Sequence, residues 1–247
     1  MDVETAIVVG VGPELGERVV HRLASEGVAV AAVARSADRL ESLAADAPEP
    51  GVVDPCAGDA TDPEHVATTV DAVRDAHGPV DALVLNLPGP DDAGRGVAET
   101  TPDAVETCWR LQVDAAVRWT NAALDDLRTP ADAADEDADA TGAILATNSM
   151  AATTASSSPA RGAARHGLRG LLRAYADDLS PQGVHVAHLL VDGWLDTPAL
   201  RERYPDHDTW TDPDAIADTV WHVLTQPASA WTFEFDVRAS GDAVQSL

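Results

Sequence analysis

Apolar and polar positions come in alternating blocks along the chain. Residues 5–10 (TAIVVG) form a short apolar run that ends on Gly10, which predicts a buried strand. From Glu14 to about Glu26 the apolar positions fall at helical spacing, with Val19, Val20 and Leu23 on one face. Residues 28–34 (VAVAAVA) predict a second strand, and 36–45 a helix opening at Ser36 as its cap. The alternation continues with a strand over 52–58, a helix from Pro63 to His77 and a strand over 80–86. A long helix is capped at Thr101-Pro102 and runs to about Leu127; a fifth strand covers 142–148. A helix from about Pro159 to Leu179, a strand over 184–191, a helix over 212–225 and a period-two strand over 231–238 complete the pattern. Strands this apolar, joined by helices, predict an α/β fold: one doubly wound, mostly parallel sheet of about seven strands with helices on both faces. Residues 1–247 read as a single domain without internal repeats, and the acidic segment 130–141 reads as an exposed loop.

The first strand-to-helix turn reads Gly10-Val11-Gly12-Pro13-Glu14-Leu15-Gly16. Glycines that follow a strand and open a helix suit a dinucleotide's diphosphate. Gly10 makes the tight turn, Gly16 lets the helix pack close to the strand, and the helix N-terminus offers free N–H groups and positive partial charge. Gly10, Gly12, Leu15 and Gly16 are therefore expected at the cofactor. Glu14 works against this, because a carboxylate repels phosphate. The second strand ends on Ala34 and Arg35, with no acid to hold an adenosine 2′-hydroxyl. An arginine there suits a 2′-phosphate, so NADP is favoured over NAD.

Composition narrows the partners. The chain has 42 acidic residues and 16 basic ones, for a net charge of −26. Every basic residue is arginine; lysine does not occur. Such a surface repels nucleic acid and anionic membranes, and is similar to that of proteins working in molar salt. No apolar stretch is long enough to predict a transmembrane helix, and the N-terminus carries no signal-peptide pattern, so a cytoplasmic location is expected. Cys56 and Cys108 have no metal-ligand spacing, and no metal site is expected.

Further segments, in order, resemble those of the short-chain dehydrogenase/reductase family, whose fold is of the Rossmann type. Gly58-Asp59-Ala60-Thr61-Asp62 is similar to the family's adenine-contacting segment, which puts Asp59 and Ala60 at the cofactor. Asn86 matches the start of the family's Asn-Asn-Ala-Gly motif. Gly193 and Thr197 resemble the loop over the nicotinamide, with Asp192 in place of the usual proline.

The resemblance places Ser149 at the serine that polarises a carbonyl and Gln112 at the asparagine of the proton relay. It places Arg161 at the proton-donating tyrosine and Arg165 at the lysine that also holds the ribose. A guanidinium stays protonated and is a poor acid, so the tyrosine's role is vacant. Four residues apart on one helix face, Arg161 and Arg165 suit an anionic group. His166 points off that face, and Tyr175 lies nearly three helical turns beyond Arg165. The resemblance implies an NADP-dependent oxidoreductase acting on a small carbonyl or alcohol, anionic if the arginine pair binds it, and a homodimer or homotetramer paired through its two long helices, about 102–127 and 159–179, and its last strand. A cofactor-binding protein with little catalysis, a sensor or assembly subunit, stays open beside it, as does a lyase or isomerase using the anion pocket.

Overall fold

The computed structural model describes residues 2–87, 89–90, 93–128 and 141–241. The chain begins β1 (Thr5–Val9), α1 (Leu15–Ser25), β2 (Ala29–Ala34), α2 (Ala37–Ala45), β3 (Val52–Ala57), α3 (Pro63–His77) and β4 (Ala82–Leu85). A single turn, α4 (Gly96–Glu99), precedes α5 (Pro102–Trp109), a π-helical turn over Arg110–Asp114 and α6 (Ala115–Leu127). Then come β5 (Gly142–Ser149), α7 (Pro159–Leu179), β6 (Val184–Val191), the two-residue β7 (Trp194–Leu195), α8 (Pro198–Arg203), the two-residue β8 (Trp210–Thr211), α9 (Pro213–Leu224) and β9 (Glu234–Val237).

Seven strands form one sheet in the order β3-β2-β1-β4-β5-β6-β9, and every pairing in it is parallel. The chain winds outward from β1 to β3, then returns so that β4 lies on the other side of β1. This reversal opens a crevice at the C-terminal ends of β1 and β4, where ligands of open α/β sheets sit. On one face Val19, Val20 and Leu23 of α1, Leu40 and Leu43 of α2 and Val220 of α9 pack against the strands. On the other, Val66, Val70 and Val73 of α3, Trp119 and Ala123 of α6 and Leu168 and Leu172 of α7 do the same. The apolar runs are continuous because both faces of the sheet are buried.

The expected α/β architecture is present, with local differences. Thr101 caps α5, its Oγ1 accepting from the Ala104 N–H at 3.2 Å, and the helix runs on to Leu127 as expected, but with a π turn inside it that the sequence pattern did not show. Ser36 stands at the cap of α2 without a side-chain cap bond. The last strand is shorter than 231–238, and α4, β7, α8 and β8 lie in stretches too short to show a period. Residues 130–140 of the expected acidic loop lie outside the described residues. No helix among the described residues is long and apolar enough to cross a membrane.

Candidate active site

The glycine turn is built from backbone. Gly10 has φ +95°, and a Cβ on it would lie 2.1 Å from the Asn86 carbonyl oxygen. A Cβ on Gly16 would lie 2.7 Å from the Gly10 carbonyl oxygen, which is the close approach of α1 to β1 that the sequence implied. A Cβ on Gly12 would meet nothing within 4 Å, so this position faces open space. Leu15 opens α1 with its side chain in the core, and the first-turn N–H groups have no acceptor within the helix. The turn is also cross-braced. Asn86 Nδ2 donates to the Gly10 carbonyl at 2.8 Å, and Asn86 Oδ1 accepts from Thr147 Oγ1 at 2.7 Å. The end of β4 thus ties the turn to the end of β5.

Arg35, just past β2, is exposed. Asp59 lies near enough to Arg110 and Arg35 for both to draw its carboxyl below the usual range; the larger cause is the Thr61 N–H it accepts at 2.8 Å. Ala60 is fixed from behind, its carbonyl accepting from the buried Trp119 indole N–H at 2.9 Å. Gly193 has φ +134°. Thr197 caps α8, accepting from the Leu200 N–H, and donates its hydroxyl to Glu14 Oε1 at 3.2 Å. Glu14 therefore links the glycine turn to the 193–197 loop rather than projecting freely.

Ser149 closes β5. Its Oγ accepts from Arg165 Nη1 at 2.8 Å and from the Ala151 N–H at 3.3 Å. The same Nη1 donates to Asn148 Oδ1 at 2.9 Å, while Asn148 Nδ2 donates to the Arg165 carbonyl at 3.3 Å. Asn148, buried, thereby holds both the side chain and the backbone of Arg165. Burial lowers the Arg165 pKa, and the nearby Arg161 guanidinium lowers it further. Arg161 runs along Gly89 and donates Nη2 to the Pro90 carbonyl. Burial raises the Cys108 thiol, although Arg161 and Arg165 both act to lower it.

The expected residues are brought together unevenly. Ser149 and Arg165 touch, and Arg161 is their electrostatic neighbour. Gln112 is buried in the π turn, and its Oε1 has no hydrogen-bond partner among the described residues. His166 is exposed and bonds the Gly162 carbonyl, off the site. Asn148 and Thr147 were not singled out from the sequence. Their signal is the polar triplet Thr147-Asn148-Ser149 ending an otherwise apolar strand. An open groove of about 700 Å³, lined by Trp210, Ile216, Asp236 and Arg238 among others, includes neither Ser149 nor the glycine turn.

A parallel sheet with a glycine-braced crevice and a serine at the end of its fifth strand defines a dinucleotide-binding dehydrogenase architecture. The model of the short chain dehydrogenase family matches residues 4–208, and the chain belongs to that family. No curated protein matches it. Solved structures do. A short-chain dehydrogenase from Rhodopseudomonas palustris shares 24% identity at a TM-score of 0.76, covering 95% of this chain and 98% of its own. An alcohol dehydrogenase from the archaeon Thermococcus sibiricus, complexed with 5-hydroxy-NADP, shares 22% at 0.79, covering 99% and 100%. An NADPH-bound short chain oxidoreductase from Pseudomonas aeruginosa PAO1, described as containing an atypical catalytic center, shares 24% at 0.79, covering 98% of each chain. At these identities the likeness shows the fold.

Proposed function

We propose that this chain is an NADP-dependent oxidoreductase that interconverts a small carbonyl compound and its alcohol at Ser149, without a tyrosine acid. The observation that carries this reading is the Arg165–Ser149 hydrogen bond of 2.8 Å at the end of β5, across the crevice from the glycine turn. Because Arg165 donates into the serine oxygen, the serine's own hydrogen is free to donate to a substrate oxygen.

The residues present fit the cofactor. Open space over Gly12 and the first turn of α1 would take the diphosphate, Arg35 a 2′-phosphate, and Asp59 with Ala60 the adenine side. Asn86, Gly193 and Thr197 border the nicotinamide end. NADP and NADPH in the related structures support the same reading. When bound, the nicotinamide supplies or accepts the hydride. In the reducing direction Ser149 polarises the carbonyl, and the positive charge of Arg165 stabilises the negative charge that grows on its oxygen. The proton that completes the alcohol comes from water, since both side chains are partly exposed and Arg161 is too weak an acid to give one. Gln112, buried in the π turn, stands where the resemblance puts the relay asparagine. By resemblance the protein assembles as a homodimer or homotetramer through α5, α6 and α7 and through β9.

The test is fluorescence titration with NADPH and NADH, then single-turnover oxidation of the bound cofactor with a panel of carbonyl compounds. NADPH is expected to bind more tightly, with Arg35→Ala lowering its affinity about tenfold or more and that of NADH little. Ser149→Ala is expected to slow oxidation without weakening cofactor binding. Binding without oxidation on any carbonyl would favour a non-catalytic cofactor-binding protein, and failure to bind either dinucleotide would overturn both readings.

A further inference from the structure

Arg165 differs from other partly buried arginines of this chain. The protein carries 42 acidic residues, and Arg169 pairs with Glu234, Arg74 with Asp126, and Arg22 with Asp218 and Glu26. Arg165 has no carboxylate partner among the described residues. Its side-chain bonds both leave from Nη1, to the neutral oxygens of Asn148 and Ser149. Nε and Nη2 donate to nothing among the described residues. The charges that act on it are Arg161, which repels, and Cys108, whose thiol burial keeps protonated. A partly buried cation held in place by neutral groups, next to a second cation, is an anion seat.

We infer that Arg165 binds a carboxylate of the substrate, and that the substrate class is the 2-oxo acids and the corresponding 2-hydroxy acids. The inference rests on the reading of Ser149 as the group that polarises the reacting carbonyl. Ser149 Oγ and Arg165 Nη1 are 2.8 Å apart. Both Nη1 hydrogens go to Asn148 and Ser149, so the carboxylate is taken by Nη2 and Nε of the same guanidinium, one covalent link further from Ser149 Oγ. A carboxylate on the carbon next to the carbonyl is the shortest arrangement that lets one ligand take both the Ser149 O–H and those donors. Arg161, on the same helix face, adds to the positive potential. Asn148 acts as a positioning residue, since it aims Arg165 from both ends while leaving its charge uncompensated.

The experiment compares oxamate, an unreactive likeness of a 2-oxo acid, with the uncharged oxamide. Each is titrated by calorimetry into the full chain at one fixed chloride concentration, for wild type, Arg165→Lys, Arg165→Gln and Asn148→Asp. Wild type is expected to prefer oxamate by at least about tenfold. The preference is expected to survive in Arg165→Lys and to collapse in Arg165→Gln. It also collapses in Asn148→Asp, which deletes no cation but places a carboxylate beside Nη1. That variant keeps the test decisive if Arg165→Gln fails to fold. No preference in wild type, or a preference that outlasts both charge-cancelling variants, overturns the inference. Oxidation of NADPH by a neutral ketone, in a chain indifferent to oxamate, would sink the inference and leave the oxidoreductase reading standing. Tight oxamate binding with no oxidation by any carbonyl would do the reverse.

Discussion

Glu234 holds the edge of the sheet to its covering helix, and its replacement by glutamine has a cost that the structure lets one work out. The carboxylate accepts two bonds from Arg169, both 2.6 Å, one from Arg173 at 3.2 Å and one from His188 Nδ1 at 3.0 Å. Its side chain is only 11% exposed, so water screens these bonds little. Arg169 is the largest cause, with His188 adding to it, of a fall in the carboxyl pKa from 4.5 to about 2. Each tenfold in a proton equilibrium is worth about 1.4 kcal/mol, which makes the fall worth about 3 kcal/mol of folding stability. The folded value is depressed, so this stability is fully present above the unfolded value of 4.5 and is lost as pH falls through about 2. Urea denaturation of wild type and Glu234→Gln, in fixed high salt, is expected to show a gap of about 3 kcal/mol at pH 7. By about pH 3 the gap shrinks to less than half. A gap that stays constant over this range, or one below about 1 kcal/mol at pH 7, would refute the reasoning.

Other outcomes follow from separate features. Gly10→Ala would set a Cβ 2.1 Å from the Asn86 carbonyl at φ +95°, and is expected to cost at least about 3 kcal/mol, read as lost soluble yield or an early urea midpoint. Thr147→Val removes the donor to Asn86 Oδ1 and is expected to cost about 1 to 3 kcal/mol in the same assay, with weaker NADPH binding as the turn loosens. Glu14→Gln removes a negative charge at the N-terminus of α1, so NADPH affinity is expected to rise about two- to fivefold; a fall would show that the Thr197 link matters more than the repulsion. With a net charge of −26, the melting temperature is expected to climb by several degrees from low salt to about 2 M KCl, and equal values would remove the case for adaptation to molar salt.

Periodicity carried most of the fold, because both faces of this sheet are covered and its strands read as unbroken apolar runs. Strand β1 and helices α3 and α7 lie where the pattern puts them. Two-residue strands such as β7 and β8 have no period to read, and Trp194 pairs with Trp210 only because the chain folds back over 15 intervening residues. The glycine turn was legible because Gly10 and Gly16 answer to local backbone geometry. The Asn148 clamp was not, since it joins residues 17 apart through contacts that no local pattern encodes. The absence of a lysine for any such role needed no structure, because a chain without lysine cannot supply one in any register. What the sequence left open was whether Arg161 and Arg165 spend their charge on this protein's many acids, and for Arg165 the geometry gives no such partner among the described residues.

The π turn over Arg110–Asp114 makes the helix a counting device. A π turn holds one residue more than an α turn, so every side chain after it is rotated by about 100° relative to an uninterrupted helix. Trp119 reaches the Ala60 carbonyl only in the shifted phase. A chain that lacks one residue between Trp109 and Ala115 would aim a different side chain at that carbonyl, and would have to hold the segment after β3 by other means. Length in this stretch, more than the identity of any residue in it, sets which side chain faces Ala60.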